Sequence, residues 1–179
     1  MHVVPFSVQC VETRAIVVMG VAGSGKSTVA LALARRYGHV FLDADDFHSA
    51  EAKSLMSRGF ALTDAQRVPW VERLARELRR RADAGDSTVL AFSGLRAAHR
   101  QRLRDSGVPI RFIHLQATPS VIAAPLATRQ GHFMPMQMLG SQLDALQSPC
   151  AEPDVLVVDV DMSAEQVLEQ VIASLDAAR

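Results

Sequence analysis

A glycine-rich stretch carries the clearest chemistry in this sequence of 179 residues. Two glycines at a fixed spacing precede a lysine and a serine in the run Gly20-Val21-Ala22-Gly23-Ser24-Gly25-Lys26-Ser27. Glycines let successive backbone N–H groups point inward around phosphate oxygens, where a Cβ atom would obstruct them. Lys26 can reach the β- and γ-phosphates of a nucleotide, and the Ser27 hydroxyl can ligate Mg²⁺. The stretch predicts a phosphate-binding loop (P-loop) with nucleotide contacts at Gly20, Val21, Ala22, Gly23, Ser24, Gly25, Lys26, Ser27 and Thr28.

A cluster of carboxylates offers a second kind of chemistry. The acidic run Asp43-Ala44-Asp45-Asp46 follows a predicted strand from His39 to Leu42. Phosphoryl transfer needs charge neutralisation and in-line placement more than covalent chemistry, and carboxylates beside a phosphate loop can supply both. A solvated turn that caps a helix is the alternative interpretation of this run.

Alternating strands and helices must position these residues. A buried strand, Ala15 to Met19, precedes the glycine-rich turn, and an Ala/Leu-rich helix follows it to about Tyr37. The sequence also predicts helices from about Ala50 to Arg58, from a cap at Thr63-Asp64 onward and from about Ala164 to Ala177. These helices alternate with strands predicted at Thr88–Phe92, Ile110–Leu115 and Val155–Val158. The pattern predicts a single three-layer α/β domain over residues 1–179, with a five-stranded parallel sheet flanked by helices. Gly, His, Phe and Pro between Arg129 and Pro135 predict a small lid at about 125–137.

Composition excludes several other classes. The chain has 19 basic and 19 acidic residues, so it lacks the basic excess of a general nucleic-acid binder. No apolar run approaches the roughly 18–20 residues of a membrane span. The segment from Met1 to Arg14 has no basic stretch followed by an apolar one, and two cysteines give no disulfide framework. We therefore expect a cytoplasmic protein with no nucleic-acid or membrane partner.

The surroundings of the phosphate loop narrow the choice among P-loop proteins. A guanine-reading Asn-Lys-x-Asp segment is impossible because the chain contains no Asn. A remodelling ATPase usually ends its third strand in an acidic residue, but Phe92 is followed here by Ser93-Gly94. The acidic end of the strand at Val155 lies near the C-terminus and indicates the last strand of the sheet. Small size and the carboxylate cluster favour a small-molecule kinase.

The sequence resembles the small P-loop gluconate kinases, which are relatives of shikimate and nucleoside monophosphate kinases. The resemblance extends from Ile16 to about Asp161. It rests on the phosphate loop and on Phe41-Leu42-Asp43-Ala44-Asp45-Asp46-Phe47-His48, Leu62-Thr63-Asp64-Ala65-Gln66-Arg67-Val68-Pro69-Trp70, Ser93-Gly94-Leu95-Arg96, Arg129-Gln130-Gly131-His132-Phe133-Met134 and Asp154-Val155-Leu156-Val157-Val158-Asp159. It implies transfer of the γ-phosphate of ATP to the 6-hydroxyl of D-gluconate, with Mg²⁺ as cofactor and a homodimer as the assembly.

The resemblance also implies roles for the matching residues. Lys26, Asp45 and Arg129 are the expected catalytic residues: Asp45 orients the acceptor hydroxyl and takes its proton, and Arg129 closes from the lid onto the transferring phosphoryl group. Ser27 and Asp43 are expected to hold Mg²⁺, Asp43 through water. The sugar acid is expected to bind Asp45, with candidate cations for its carboxylate at Arg67 and Arg96 and further contacts at His48 and His132. Trp70 fits either a core position or a pocket wall.

Departures from the family pattern fall mainly on the acceptor side. Ala52 and Leu55 replace an expected Asn and Lys, Gly94 replaces an Ala, and Pro125 replaces the first Arg of the lid. Lys53 lies two residues from the missing lysine, which is roughly 200° around a helix. Two alternatives therefore stay open: a kinase of another sugar acid or polyol, and a nucleotide-binding regulatory protein with weak turnover.

Overall fold

Five parallel strands form the centre of the molecule. The structure is a computed structural model and describes residues 12–117 and 136–177. The strands are β1 (Ala15–Met19), β2 (Val40–Asp43), β3 (Thr88–Phe92), β4 (Ile110–Gln116) and β5 (Val155–Asp159). Their order across the sheet is β2-β3-β1-β4-β5, and every adjacent pair is parallel. The predicted five-stranded parallel sheet is confirmed, with β5 at one edge.

Helices cover both faces of the sheet. In chain order they are α1 (Lys26–Tyr37), α2 (Ala50–Ser57), α3 (Asp64–Asp83), α4 (Ala97–Arg104), α5 (Met136–Ala145) and α6 (Ala164–Ala177). The predicted cap of α3 is confirmed: the Thr63 hydroxyl accepts from the N–H of Gln66, whose side chain accepts from the N–H of Thr63. None of the helices in the described ranges has the length and apolar run required to cross a membrane.

Alternate residues of the buried strands face two separate cores. Ile16 and Val18 of β1 face the side covered by α1 and α6, whereas Val17 and Met19 face the side covered by α3 and α4. Strands buried on both faces read as continuous apolar runs, which is how they were recognised in the sequence. The three-layer α/β fold is therefore confirmed. The predicted lid lies almost wholly outside the described residues, as do Arg129 and His132.

Candidate active site

Three loops meet at the carboxyl end of the sheet. β1 leads into the phosphate loop, β2 into a single 3₁₀ turn (Ala44–Phe47), and β3 into the loop that ends at Arg96. Because β2, β3 and β1 are adjacent and parallel, the residues that follow them converge at one edge. This edge of an open parallel sheet is the usual position of a ligand site.

The phosphate loop has the shape of an anion site. Gly25 caps α1 with a φ of 91°, and the loop amides precede a helix N-terminus that favours negative charge. Lys26 Nζ donates a hydrogen bond to the carbonyl of Val21 at 2.9 Å and so lies across the loop. Burial lowers the pKa of Lys26, while the charges of Asp45 and Asp43 act in the opposite direction. The buried hydroxyl of Ser24 has no hydrogen-bond partner within the described residues.

Ser27 and Asp43 provide oxygen atoms suited to a small hard cation. The Ser27 hydroxyl donates to Asp43 Oδ2 at 3.3 Å, and Asp43 Oδ1 accepts from the N–H of Asp45 at 3.0 Å. Mg²⁺ prefers oxygen ligands and keeps several of its waters, so it needs only one or two protein oxygens beside the phosphates. The two residues predicted to hold Mg²⁺ therefore lie together and fit that ion.

Asp45 lies in the 3₁₀ turn and interacts electrostatically with Lys26. Partial desolvation by the surrounding protein raises the pKa of Asp45, although its side chain remains exposed to solvent. The negative charge of Asp43 raises that pKa further, and the positive charge of Lys26 lowers it. The predicted proton acceptor thus lies within the electrostatic reach of the predicted phosphate-binding lysine.

Helix α3 holds the acidic turn in place. Trp70 Nε1 donates to the carbonyl of Ala44 at 2.7 Å, and Arg73 Nε donates to the carbonyl of Phe47 at 2.9 Å. Helix α3 is rich in arginine and largely solvated on its outer face, but the guanidinium of Arg73 is half-buried against the turn. Trp70 is 4% exposed and belongs to the core, and it also stacks on His48. The core interpretation of Trp70 is therefore confirmed.

His48 is enclosed beside Asp45. Its side chain is 5% exposed, and its Nε2 lies 3.9 Å from Asp45 Oδ1. Burial, followed by the positive charges of Arg73, Lys53 and Arg67, lowers the pKa of His48 from its usual 6.5 to about 4. The imidazole is consequently neutral near pH 7 and offers a hydrogen bond rather than a charge.

Arg67 and Arg96 share one carboxylate. Arg67 Nη1 lies 3.3 Å from Asp64 Oδ1, and Arg96 Nη2 lies 3.5 Å from Asp64 Oδ2. Arg96 Nε is buried and has no partner in the described part of the chain. A cavity of about 260 Å³ between α3 and α4 is lined in part by Asp64, Arg96 and His99. The structure thus brings the two predicted carboxylate-binding arginines together, and their combined charge exceeds that of their partner.

The structure shows what Gly94 and Lys53 contact, at or next to the positions where the sequence departs from the family pattern. Gly94 has a φ of +61°, and a Cβ atom there would lie 2.9 Å from the Cβ of Met19 in the sheet core. The substitution at Gly94 therefore faces the interior instead of an acceptor pocket. Lys53 Nζ donates to the carbonyl of Asp46 at 3.2 Å, so it reaches the acidic turn from α2.

Three residues that hold the loops of the site could not be predicted from the sequence. Gln142 and Gln147 accept hydrogen bonds from the N–H groups of Ala22 and Ala97, which are 120 and 50 residues away. Arg100 lies in an arginine-rich helix, yet its side chain is fully buried. The residues next to these glutamines and this arginine form no pattern that would reveal a partner far away in the sequence.

A phosphate loop whose lysine lies near two carboxylates, on a five-stranded parallel sheet, defines a P-loop kinase. A family model described as an AAA domain matches residues 16–153. A gluconokinase from Gluconobacter oxydans (strain 621H) is 39% identical over 166 residues, which cover 93% of this chain and 93% of that protein. The chain therefore belongs to the gluconokinase family and is an ATP-dependent phosphotransferase.

Solved structures agree with this assignment. A sugar kinase from Janibacter sp. HTCC2649, solved without ligand, has a TM-score of 0.85 and 42% identity, with 92% of this chain and 95% of that chain covered. A gluconokinase from Sinorhizobium meliloti 1021 has a TM-score of 0.84 and 36% identity, with 91% of each chain covered. Both structures are similar to this one over nearly its whole length.

Proposed function

We propose that this protein transfers the γ-phosphate of ATP to the 6-hydroxyl of D-gluconate and releases 6-phosphogluconate and ADP. The observation that carries the proposal is the arrangement of two arginines around Asp64, near the acidic turn that holds Asp45. A sugar acid needs a cation for its carboxylate and a base for its hydroxyl. The gluconokinase relatives support gluconate as the acid.

The nucleotide side is built from the phosphate loop. The loop amides and Lys26 bind the β- and γ-phosphates, and the buried position of Lys26 strengthens its attraction for them. Ser27 and Asp43 hold Mg²⁺, Asp43 through water. When bound, the ion neutralises charge on the phosphate oxygens.

The acceptor side orients one hydroxyl toward the γ-phosphorus. Arg67 and Arg96 bind the substrate carboxylate, and neutral His48 hydrogen-bonds a sugar hydroxyl. The 6-oxygen forms a bond to the γ-phosphorus while the bond from that phosphorus to the β–γ bridging oxygen breaks. The hydroxyl proton passes to the Asp45 carboxylate, whose main service is to position the oxygen.

The proposal includes four further assignments. Two concern residues outside the described ranges, and two concern the assembly and the location of the protein. Arg129 stabilises charge on the transferring phosphoryl group, and His132 contacts the sugar acid. The protein is a homodimer in the cytoplasm. Light scattering on the purified protein tests the assembly, and Arg129→Ala tests the arginine by an expected loss in kcat of roughly 10³-fold, the range of an arginine finger.

A coupled assay of ADP release tests the reaction. Gluconate-dependent turnover with ATP and Mg²⁺ is expected, and Lys26→Ala or Asp45→Asn should lower kcat by at least roughly 10²-fold. Arg79→Ala is the matched control, because Arg79 lies on the exposed face of α3 and pairs with Asp83. Turnover with a different sugar acid in a panel, but none with gluconate, would contradict the gluconate assignment. Nucleotide binding without turnover on any acceptor would contradict the kinase itself.

A further inference from the structure

A short segment joins the nucleotide loop to the loop beside Arg96. Residues 142–147, named here the bridging segment, run from the last turn of α5 into the connection to β5. Gln142 Oε1 accepts a hydrogen bond from the N–H of Ala22 in the phosphate loop at 2.6 Å. Gln147 Oε1 accepts one from the N–H of Ala97, the first residue of α4, at 2.7 Å. One glutamine therefore holds each loop by a backbone amide.

Apolar contacts run between these two hydrogen bonds. Val21 of the phosphate loop and Leu95 of the β3–α4 loop are both buried and belong to one cluster. Leu143 and Leu146 of the bridging segment pack against that cluster. The two loops are thus connected through packed side chains, which transmit a displacement instead of absorbing it.

Buried charge fixes one end of the bridging segment. Arg100 donates to the carbonyl of Gly94 at 2.7 Å and to the carbonyl of Gln147 at 3.0 Å, and it pairs with Glu152. The N–H of Gln147 also donates to the carbonyl of Leu95 at 2.8 Å. Because Arg100 is fully buried, these bonds are shielded from water, and Gln147 has little freedom relative to the β3–α4 loop.

We propose that the bridging segment sets the spacing between the phosphate loop and the β3–α4 loop, with Gln142 and Gln147 as positioning residues for phosphoryl transfer. In-line transfer requires donor and acceptor atoms within a few tenths of an ångström of the productive geometry, so a fixed distance between the two loops favours it. The inference rests on the proposed function, because it assigns the donor to one loop and the acceptor to the other.

Separate affinities provide the first test. Gln142→Met removes the acceptor for Ala22 and keeps the side-chain length, and it should weaken ADP and ATP-analogue binding in calorimetry about five-fold, the usual effect of one hydrogen bond. Gln147→Met should raise the KM for gluconate by a similar factor. Each variant should change the other ligand's affinity less than two-fold, so each is a control for the other. Gln101→Met is a control for both, because Gln101 is exposed on α4 and its side-chain amide donates to Asp105 at the end of the same helix.

The turnover number provides the second test. Breaking either contact releases the two loops from each other, so each single variant should lower kcat about ten-fold. The double variant should lower kcat no further than the worse single variant, because the spacing is already lost. Multiplied effects in the double variant would overturn the proposal. Three other results would also overturn it. They are equal losses of both affinities that parallel a fall in Tm, unchanged affinities in the variants, and tighter nucleotide binding by Gln142→Met.

A second substitution removes the Ala97 contact without changing the bridging segment. Ala97→Pro deletes the N–H that Gln147 accepts, and proline is favourable at the first position of a helix. Arg96, which precedes it, has the extended backbone that a following proline requires. Ala97→Pro should reproduce the kinetics of Gln147→Met, and wild-type kinetics would overturn the role of Gln147. Calorimetry with ADP tests the role of Gln142 even if gluconate is not the acceptor. In that case kcat is measured with the sugar acid that the enzyme does phosphorylate.

Discussion

The imidazole of His48 lies flat on the indole of Trp70, with ring centroids 4.2 Å apart and planes 16° from parallel. Trp70 is itself fixed by its bond to the carbonyl of Ala44 and by contact with Phe92 of the sheet. The stack therefore connects His48 directly to the core. It also excludes water from one face of His48, which keeps the imidazole neutral.

His48 makes protein stability depend on pH. The pKa of His48 is about 4 in the folded protein and 6.5 in the unfolded chain, so the unfolded chain binds more protons between these values. The contribution of His48 to folding is complete above pH 6.5 and is lost as the pH falls toward 4. Urea unfolding at pH 7, 6 and 5 should show this loss, and it should be smaller in His48→Phe, which keeps a ring on Trp70. An equal loss in both proteins would show that other groups, such as His99 and His114, dominate.

Asp45 should determine the pH at which activity falls on the acidic side of the pH–rate profile. Its pKa is raised by desolvation and by Asp43, so kcat/KM for gluconate should begin to fall at a higher pH than an ordinary aspartate would give. Asp43→Asn removes one cause of the raised pKa and should move the limb to lower pH, whatever its effect on the maximum rate. A limb that stays in place in Asp43→Asn would mean that another group limits the rate.

The arginines around Asp64 should govern the affinity for the sugar acid. Arg96→Ala or Arg67→Ala should raise the KM for gluconate about 10- to 100-fold, the usual effect of one charge-assisted hydrogen bond, with nucleotide affinity unchanged. Arg102→Ala is the matched control, because Arg102 lines the same cavity but pairs with Glu72. A comparable rise in KM for Arg102→Ala would indicate a general loss of positive charge instead of a specific contact.

The fully buried Arg100, which pairs with Glu152, should stabilise the fold far more than surface pairs do. Arg100→Met leaves three carbonyls without this donor and removes one of the two arginines that donate to Glu152, the other being Arg104. It should cost about 3–5 kcal/mol in the free energy of unfolding. Arg79→Ala breaks an exposed pair on α3 and should cost less than about 1 kcal/mol. Urea titration of both variants checks the difference, and equal costs would contradict the structural role of Arg100.

Gly94 is required for both its backbone and its lack of a side chain. Gly94→Ala combines a φ of +61° with a methyl group 2.9 Å from the Cβ of Met19, and it should cost about 2–4 kcal/mol. Gly59→Ala separates the two effects, because Gly59 has a φ of +83° and open space around its Cβ position. We expect about 1 kcal/mol for that control. Thermal unfolding measures both, and similar values would place the cost in the backbone alone.

The fold could be predicted from periodicity and motif spacing because both patterns are formed by residues that are close together in the sequence. β3 and α6 have the predicted boundaries, and the Thr63 cap was recognised from its own residues. The chemical types of Lys26, Asp43 and Asp45 predicted the phosphate side of the site. Partners chosen by the tertiary fold could not be predicted in this way. Arg73 and Arg100 have the same charge as their exposed neighbours. What distinguishes them is that each donates to a backbone carbonyl far away in the sequence, that of Phe47 or of Gln147.

Helix α2 lies beside the acidic turn, yet none of its residues is buried. Its links to the turn are peripheral, such as the bond from Lys53 to the carbonyl of Asp46. Under the proposed function, we expect substitutions on α2 to change contacts with the acceptor without disturbing the sheet or the phosphate loop. In evolutionary terms, acceptor preference can then shift in part by drift on one exposed helix, while Arg67, Arg96 and the ATP chemistry stay constant.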